Sequence, residues 1–469
     1  MNVSGKPSDS IRKNILQAAW LLIGLVVCLF CYILYIECAE GQELTHHPLN
    51  SRGLREVSGV ARGKILDSDG RVLAETDESG IRRYPYGAAA APVTGYVGIE
   101  IGSAGVEHYS AMALSGRASA DSHIGPVAQL FSDAEGCNVK LTVDAELQQA
   151  AYDALGDRKG AVVVLNAETG AVLAMASTPS FDPESAAENW EDISNREDSV
   201  LLNRALHGLY PPGSTIKPLV AAFALKGGNV NQKEIFDCSG VLDVGGGYTI
   251  AESHGEVHGK VTLREAITES CNVAFGTIAS RMGKSGLESM FSAVSFNRAL
   301  SGELDSPIAQ LPDYSALSKG EIAQIGIGQS TLLVTPLAMA MLAEGFANNG
   351  KIMKPYIVDE VISSRGIVTS RAVPAAWSGS IPKTEAQIID GYMEEVVREG
   401  TGTAAYVNGV RVTGKTGTAE NSSGNDHAWF IGTAQVQGKK IAFAVLIENG
   451  GGGGIEAAPI ARNLILQMM

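Results

Sequence analysis

Cysteine is scarce in this 469-residue chain, which holds only Cys28, Cys31, Cys38, Cys137, Cys238 and Cys271. Two of these fall in an apolar N-terminal run and the other four are widely scattered. That excludes a disulfide framework and shows no zinc-ligand spacing, so the main body must be held by an apolar core. A single Cys137–Cys238 bridge stays open. His254-Gly-Glu-Val-His258 is not His-Glu-x-x-His and has no adjacent third ligand; it reads as a polar loop, and neither a metal nor a cofactor is expected. Positive charge is also short. Against 51 acidic residues stand 36 basic ones, formally −15, the wrong balance for a nucleic-acid binder. Long charge runs are missing, and so is any Gly-x-Ser-x-Gly elbow, which removes the usual α/β-hydrolase arrangement.

What is present is enough apolar residue, 45%, to bury a large core in two or three domains. Ile15 to Ile36 is apolar apart from Gln17, and about 22 residues rising 1.5 Å each cover about 33 Å, the thickness of a bilayer core. Lys6, Arg12 and Lys13 precede this run, while Glu37, Glu40 and Glu43 follow it. The charge asymmetry puts residues 1–14 in the cytoplasm, residues 15–36 across the membrane and the rest outside. A cleaved signal peptide is the rival reading, but the run is long and lacks a small-x-small site, and Glu37 before Cys38 does not suit lipoprotein cleavage. Residues 37–138 are glycine-rich, with strand-like pieces around a Ser68-Asp69-Gly70 turn, and read as a small spacer domain. From 139 to 469 the character changes. Asp144 caps a helix running to Leu155, and two apolar strands, Ala161 to Leu165 and Ala171 to Ser177, flank a Glu168-Thr169-Gly170 turn.

Three patterns in this second region carry chemistry. In Pro211-Pro-Gly-Ser-Thr-Ile-Lys-Pro218, Ser214 and Lys217 lie three apart where a buried helix begins, so the lysine amine can reach the hydroxyl. A serine is a nucleophile only when its proton is taken, and a lysine takes it only when burial or a nearby cation lowers its pKa. Alone this pattern is weak. Ser270-Cys271-Asn272 interrupts a helical stretch from Leu263 to Met282; Ser295-Phe-Asn297 and Ser423-Gly-Asn425 have the same form, but apolar helical flanks favour Ser270. Lys415-Thr416-Gly417-Thr418 lies in a strand-like run and offers a cation and two hydroxyls to a carboxylate. Its glycine leaves room for a substrate backbone at the strand edge. The same residues satisfy the phosphate-loop pattern Gly409-x4-Gly414-Lys-Thr416, yet no helix signal follows the lysine.

With these elements in order, the sequence resembles the class B penicillin-binding proteins. Further similarity lies in Arg62-Gly-Lys-Ile-Leu-Asp67, Arg83-Tyr-Pro85 and Gly102-Ser-Ala-Gly-Val-Glu107 of the spacer. In the second region it lies in Asn203-Arg-Ala205, Gly326-Ile-Gly-Gln329, Thr335-Pro-Leu337, Gly400-Thr-Gly402 and His427-Ala-Trp-Phe430. The resemblance implies an α+β transpeptidase domain of the serine DD-peptidase and β-lactamase type, an antiparallel sheet flanked by helices plus an all-helical part. It implies in addition a β-rich pedestal and one transmembrane helix, and that residues 139–469 cross-link peptidoglycan stem peptides and bind penicillin. By that resemblance Ser214 attacks the carbonyl between two D-alanines, Lys217 takes its proton, and Ser270 relays one to the leaving nitrogen. Asn272 holds the substrate amide, and Lys415, Thr416 and Thr418 hold the terminal carboxylate, with Gly417 between them and Lys415 helping to keep Lys217 neutral. The backbone N–H groups of Ser214 and Thr418 form the oxyanion hole. The expected partners are stem peptides, β-lactams, the membrane and a polytopic glycan polymerase. A carboxypeptidase with water as acceptor is the runner-up. A β-lactamase needs a glutamate to activate water, and Glu303 is a poor stand-in. A drug-sensing receptor would need cytoplasmic machinery that 14 residues do not supply.

Overall fold

The structure, a computed structural model, describes residues 9–35, 62–116, 136–421 and 424–469. The chain divides into two units, Met1–Glu56 and Val57–Met469. In the first, α1 (Asp9–Tyr35) exposes its apolar side chains along its length, and by length and composition it can cross a membrane. Ile36 lies outside the described residues.

The second unit is built on a five-stranded antiparallel sheet. Its strands are β1 (Gly160–Asn166), β2 (Val172–Thr178), β3 (Val412–Ala419), β4 (His427–Val436) and β5 (Lys439–Ile447), in the spatial order β3-β4-β5-β1-β2. Both termini of the domain thus supply the sheet. Apart from β3, its strands are largely apolar without alternation because both faces are covered. Val163, Leu165, Trp429, Ile431 and Ala444 pack into one core, and their neighbours Val162, Val164, Phe430, Phe443 and Val445 into another. The second core is closed by α2 (Ala145–Leu155) and the C-terminal helix Ala458–Gln467, and the first by Pro336–Ala347 with the helical part. Asp144 caps α2 as expected, its carboxylate accepting from the N–H groups of Glu146 and Leu147. Because β3 is an edge strand, its outer side is free to meet the segment that carries Ser214.

A six-stranded sheet forms the pedestal, in the order 368–371, 358–362, 138–141, 65–66, 72–76, 82–83. Two of its strands come from far along the chain, after the helix Pro336–Ala347, a sharing that local periodicity gives no hint of. Inside the pedestal the fully buried Glu107 carboxylate takes Arg62 Nε at 2.6 Å and Arg82 Nε at 2.7 Å. Arg83, one of the residues carrying the resemblance, pairs instead with Asp77 and Glu184.

Candidate active site

The first motif sits on a 3₁₀ turn, Gly213–Ile216, and the regular helix α3 (Lys217–Lys226) starts only at the lysine, with Pro218 in its first turn where no N–H is needed. Ser214 is partly exposed on this turn. Two glycines allow the turn its place. Gly213 has φ 53° and donates to Gly328 O at 2.9 Å, and a Cβ on Gly328 would lie 2.0 Å from Gly213 O. Trp429 Nε1 on β4 donates to Pro211 O at 3.0 Å, pinning the turn to the sheet. A Cβ on Gly417 would stand 2.8 Å from Thr215 Cγ2 and 3.1 Å from Pro212 O, so the missing side chain also lets the Ser214 turn rest on β3.

Lys217 is fully buried. Its Nζ donates to Ser270 O at 2.5 Å, Ser270 Oγ at 3.2 Å and Asn272 Oδ1 at 2.7 Å. Three acceptors match the three protons of an ammonium. None of these hydrogen bonds goes to Ser214, one turn earlier in sequence; in this state the lysine ties the first motif to the second. Ser270 adopts φ 62°, a left-handed conformation unusual for a residue with a side chain, between the helix Leu263–Thr268 and the helix Asn272–Ala293, which is itself broken at Gly283. The strained turn is held from behind. Glu252 accepts from the N–H groups of Asn272 and Val273, both at 2.8 Å, and Asn272 Nδ2 donates to Ala251 O at 2.9 Å. Of the rival serines, Ser295 pairs with Ser378 at 3.0 Å, and Ser423 lies outside the described residues.

Lys415, at the middle of β3, is also fully buried, and its Nζ donates to Thr416 O at 3.1 Å. A phosphate loop would start a helix here, and the strand continues to Ala419 instead. Burial lowers the Lys217 pKa to about 8, against the opposing pull of Glu252. Lys415 falls well below the ordinary lysine value, through burial first and the Lys217 charge second. In the resting site the influence runs from Lys217, which has three acceptors, to Lys415, whose pKa the Lys217 charge lowers. Thr418 is exposed on the edge strand, and Thr416 Oγ1 lies 2.6 Å from Thr401 Oγ1. The Ser214 turn abuts the same edge, since a Cβ on Gly213 would be 2.7 Å from Thr418 O. These contacts bring Ser214, Lys217, Ser270, Asn272, Lys415, Thr416 and Thr418 together at the β3 edge.

Behind the Ser270 turn, Cys238, Glu252, His258 and Cys271 each bring one ligand atom within 4.8 Å of the others. Two thiols, an imidazole and a carboxylate form a donor set suited to a four-coordinate ion of the zinc type. Their sequence spacing gave no ligand pattern because two strand pairs and a helix start separate them. Both thiols donate to Glu252 Oε1, at 3.2 Å from Cys238 and 3.1 Å from Cys271, and burial pushes the Cys271 thiol well up. Cys238 is not bridged to Cys137. Glu303 is outside this site: its carboxylate accepts from the N–H groups of Ile357 and Val358 at the pedestal sheet.

Residues 160–466 match the family described as the penicillin binding protein transpeptidase domain, and residues 62–138 match the penicillin binding protein A dimerisation domain. The chain belongs to the class B penicillin-binding proteins. The peptidoglycan D,D-transpeptidase PbpA of Mycolicibacterium smegmatis is 32% identical, with 97% of this chain and 98% of that protein covered. The MrdA D,D-transpeptidase of Salmonella typhimurium is 29% identical across 82% of this chain and 72% of its own. Among solved structures, the imipenem acyl-enzyme of penicillin-binding protein A from M. tuberculosis has 30% identity and a TM-score of 0.80, covering 88% of this chain and 99% of that one. In this penicillin-binding protein, the sequence reading missed two residues that touch the site. Glu252 carries no motif at all; Thr401 lay within the Gly400-Thr-Gly402 similarity without a role.

Proposed function

We propose that this class B penicillin-binding protein is a peptidoglycan D,D-transpeptidase whose acyl-enzyme forms on Ser214. The observation that carries the assignment is the convergence of two fully buried lysines from separate motifs, Lys217 and Lys415, the charge of the first lowering the pKa of the second, beside a partly exposed serine. Substrate enters along the β3 edge, its terminal carboxylate meeting Lys415, Thr416 and Thr418. A carboxylate there favours the proton on Lys415, which draws charge away from Lys217 and leaves it able to act as base. Ser214 Oγ then bonds to the carbonyl carbon of the penultimate D-alanine while its proton passes to Lys217. The oxyanion is held by the N–H groups of Ser214 and Thr418. The C–N bond breaks as Ser270, in contact with Lys217, passes a proton to the departing D-alanine nitrogen. A stem-peptide amine next attacks the ester, forms the cross-link and returns the proton to Ser214. Asn272, fixed between Lys217 and Ala251, orients the substrate amide.

The basic residues before the apolar run at 15–36 and the acidic ones after it support a cytoplasmic N-terminus and an external catalytic domain. A pedestal over residues 37–138, a catalytic domain over 139–469 and a polytopic glycan polymerase as partner are carried over from the family resemblance. The test is mass spectrometry of the full-length protein in detergent after benzylpenicillin. One drug adduct on the Ser214 peptide, missing from Ser214→Ala, is expected; an adduct on another serine overturns the assignment.

A further inference from the structure

Thr401 belongs to none of the three motifs, yet it touches one of them and the helix that leads into another. It follows the helix Lys383–Arg398, its N–H donates to Thr268 O at 3.4 Å, and its Oγ1 lies 2.6 Å from Thr416 Oγ1. Thr268 ends the helix that leads into Ser270, and Thr416 is the second residue of the Lys415 motif. The backbone at 400–401 is wedged between its neighbours. A Cβ on Gly400 would fall 2.6 Å from Thr268 O, and one on Gly454 would fall 2.5 Å from Thr401 O. The Thr401 hydroxyl is thereby delivered to a defined place while the residue itself stays exposed.

We propose that Thr401 is a positioning residue for the substrate's terminal carboxylate, acting through the hydroxyl of Thr416. The inference rests on the reading of the Lys415–Thr418 strand as the carboxylate site. A threonine hydroxyl has one proton and two lone pairs, and a carboxylate only accepts. Two hydroxyls at 2.6 Å share one hydrogen bond, so either Thr416 gives its proton to Thr401 and has none for the substrate, or it accepts from Thr401 and keeps its own. With a carboxylate bound only the second arrangement gives it the Thr416 proton. The Thr401 proton then points at Thr416 and the Thr416 proton at the substrate, each bond polarising the next. Exposure matters here, because Thr401 can satisfy its remaining lone pairs with water at no cost to the relay.

The test uses the full-length protein in detergent and compares acylation by benzylpenicillin, which carries the carboxylate, with acylation by its methyl ester, which does not. Thr401→Val, the same shape without the hydroxyl, is expected to lower the second-order acylation rate by benzylpenicillin by up to about tenfold, the size of a lost hydrogen bond between two neutral hydroxyls. The methyl ester rate should not change, and Thr401→Ser should restore the benzylpenicillin rate. Added to Thr416→Val, Thr401→Val should cost nothing further. Equal losses for acid and ester, or fully additive losses in the double variant, overturn the positioning role. Should Thr416→Val itself fail to distinguish acid from ester, the carboxylate site is elsewhere and the underlying reading has failed instead. If Thr401→Val does not fold, Thr401→Ala and Thr401→Ser answer the same question.

Discussion

At the level of single residues, the site turns on where protons sit. Lys217 at a pKa of about 8 is mostly an ammonium at neutral pH, held by Ser270 and Asn272, and it serves as base only in its neutral form. The rate of acylation by benzylpenicillin should therefore climb by up to about tenfold per pH unit below about 8 and level off above it. Rates measured from about pH 6 to 9 that show no such rise would count against Lys217 as the base. Lys217→Ala should lower the rate by about 10² to 10⁴. A second buried titrating group bears on stability instead. Glu344, fully buried in the helix Pro336–Ala347, accepts from Met353 N at 3.2 Å, leaves Oε1 without a partner, and is pushed up by burial to about 9. Its folded pKa exceeds the unfolded value, so the folded state keeps a proton that the unfolded chain releases as pH climbs above about 4.5. Stability should fall across that window, by at most about 1.4 kcal/mol per unit, up to about pH 9. Calorimetric melts over this range should show a steeper decline for the natural protein than for Glu344→Gln; parallel curves would refute the assignment.

Among elements, the contact that decides the cleft is the Ser214 turn seated on β3. Gly417→Ala puts a Cβ 2.8 Å from Thr215 Cγ2 and 3.0 Å from Trp429 Cβ, and neither can withdraw because the turn is already tied to Trp429 and Gly328. The variant should lose about 1–3 kcal/mol of stability. It should also acylate about 100-fold more slowly, since the nucleophile moves off the edge strand. Normal acylation with a normal melt would show that the turn tolerates displacement. The strands and the capped helix α2 were legible in advance because their signals are local: apolar runs, the Asp144 cap and the Gly170 turn lie within a few residues of one another. So were Ser214, Ser270 and Lys415 as a set, through their order. The lysine's choice of Ser270 and Asn272 over Ser214 was not legible, because it depends on the positive φ at 270 and on Glu252 gripping the turn from a separate hairpin. For the same reason the true crowding around Gly417 was hidden: it is set by Thr215 and Pro212, two hundred residues earlier.

Over the whole molecule, catalytic cleft and pedestal share chain but need not share energetics. The strands 358–362 and 368–371 leave the catalytic region to complete the pedestal sheet, and Glu303 fastens their start. Yet the buried charges at the centre of the pedestal are its own. Glu107 is fully buried between Arg62 and Arg82, and Tyr84 Oη also reaches it at 3.3 Å. Two guanidinium groups around one carboxylate are tolerable only while the carboxylate is there; neutralising it leaves two largely buried cations facing each other. Glu107→Gln should thus cost about 3–5 kcal/mol, read as a lower melting temperature of the full-length protein. Acylation by benzylpenicillin well below that temperature should be unchanged, since none of the hydrogen bonds around Lys217, Ser270 or Thr416 passes through the pedestal. A variant that melts early and also acylates slowly would mean that the shared sheet transmits strain from pedestal to cleft, and that the two halves work as one body.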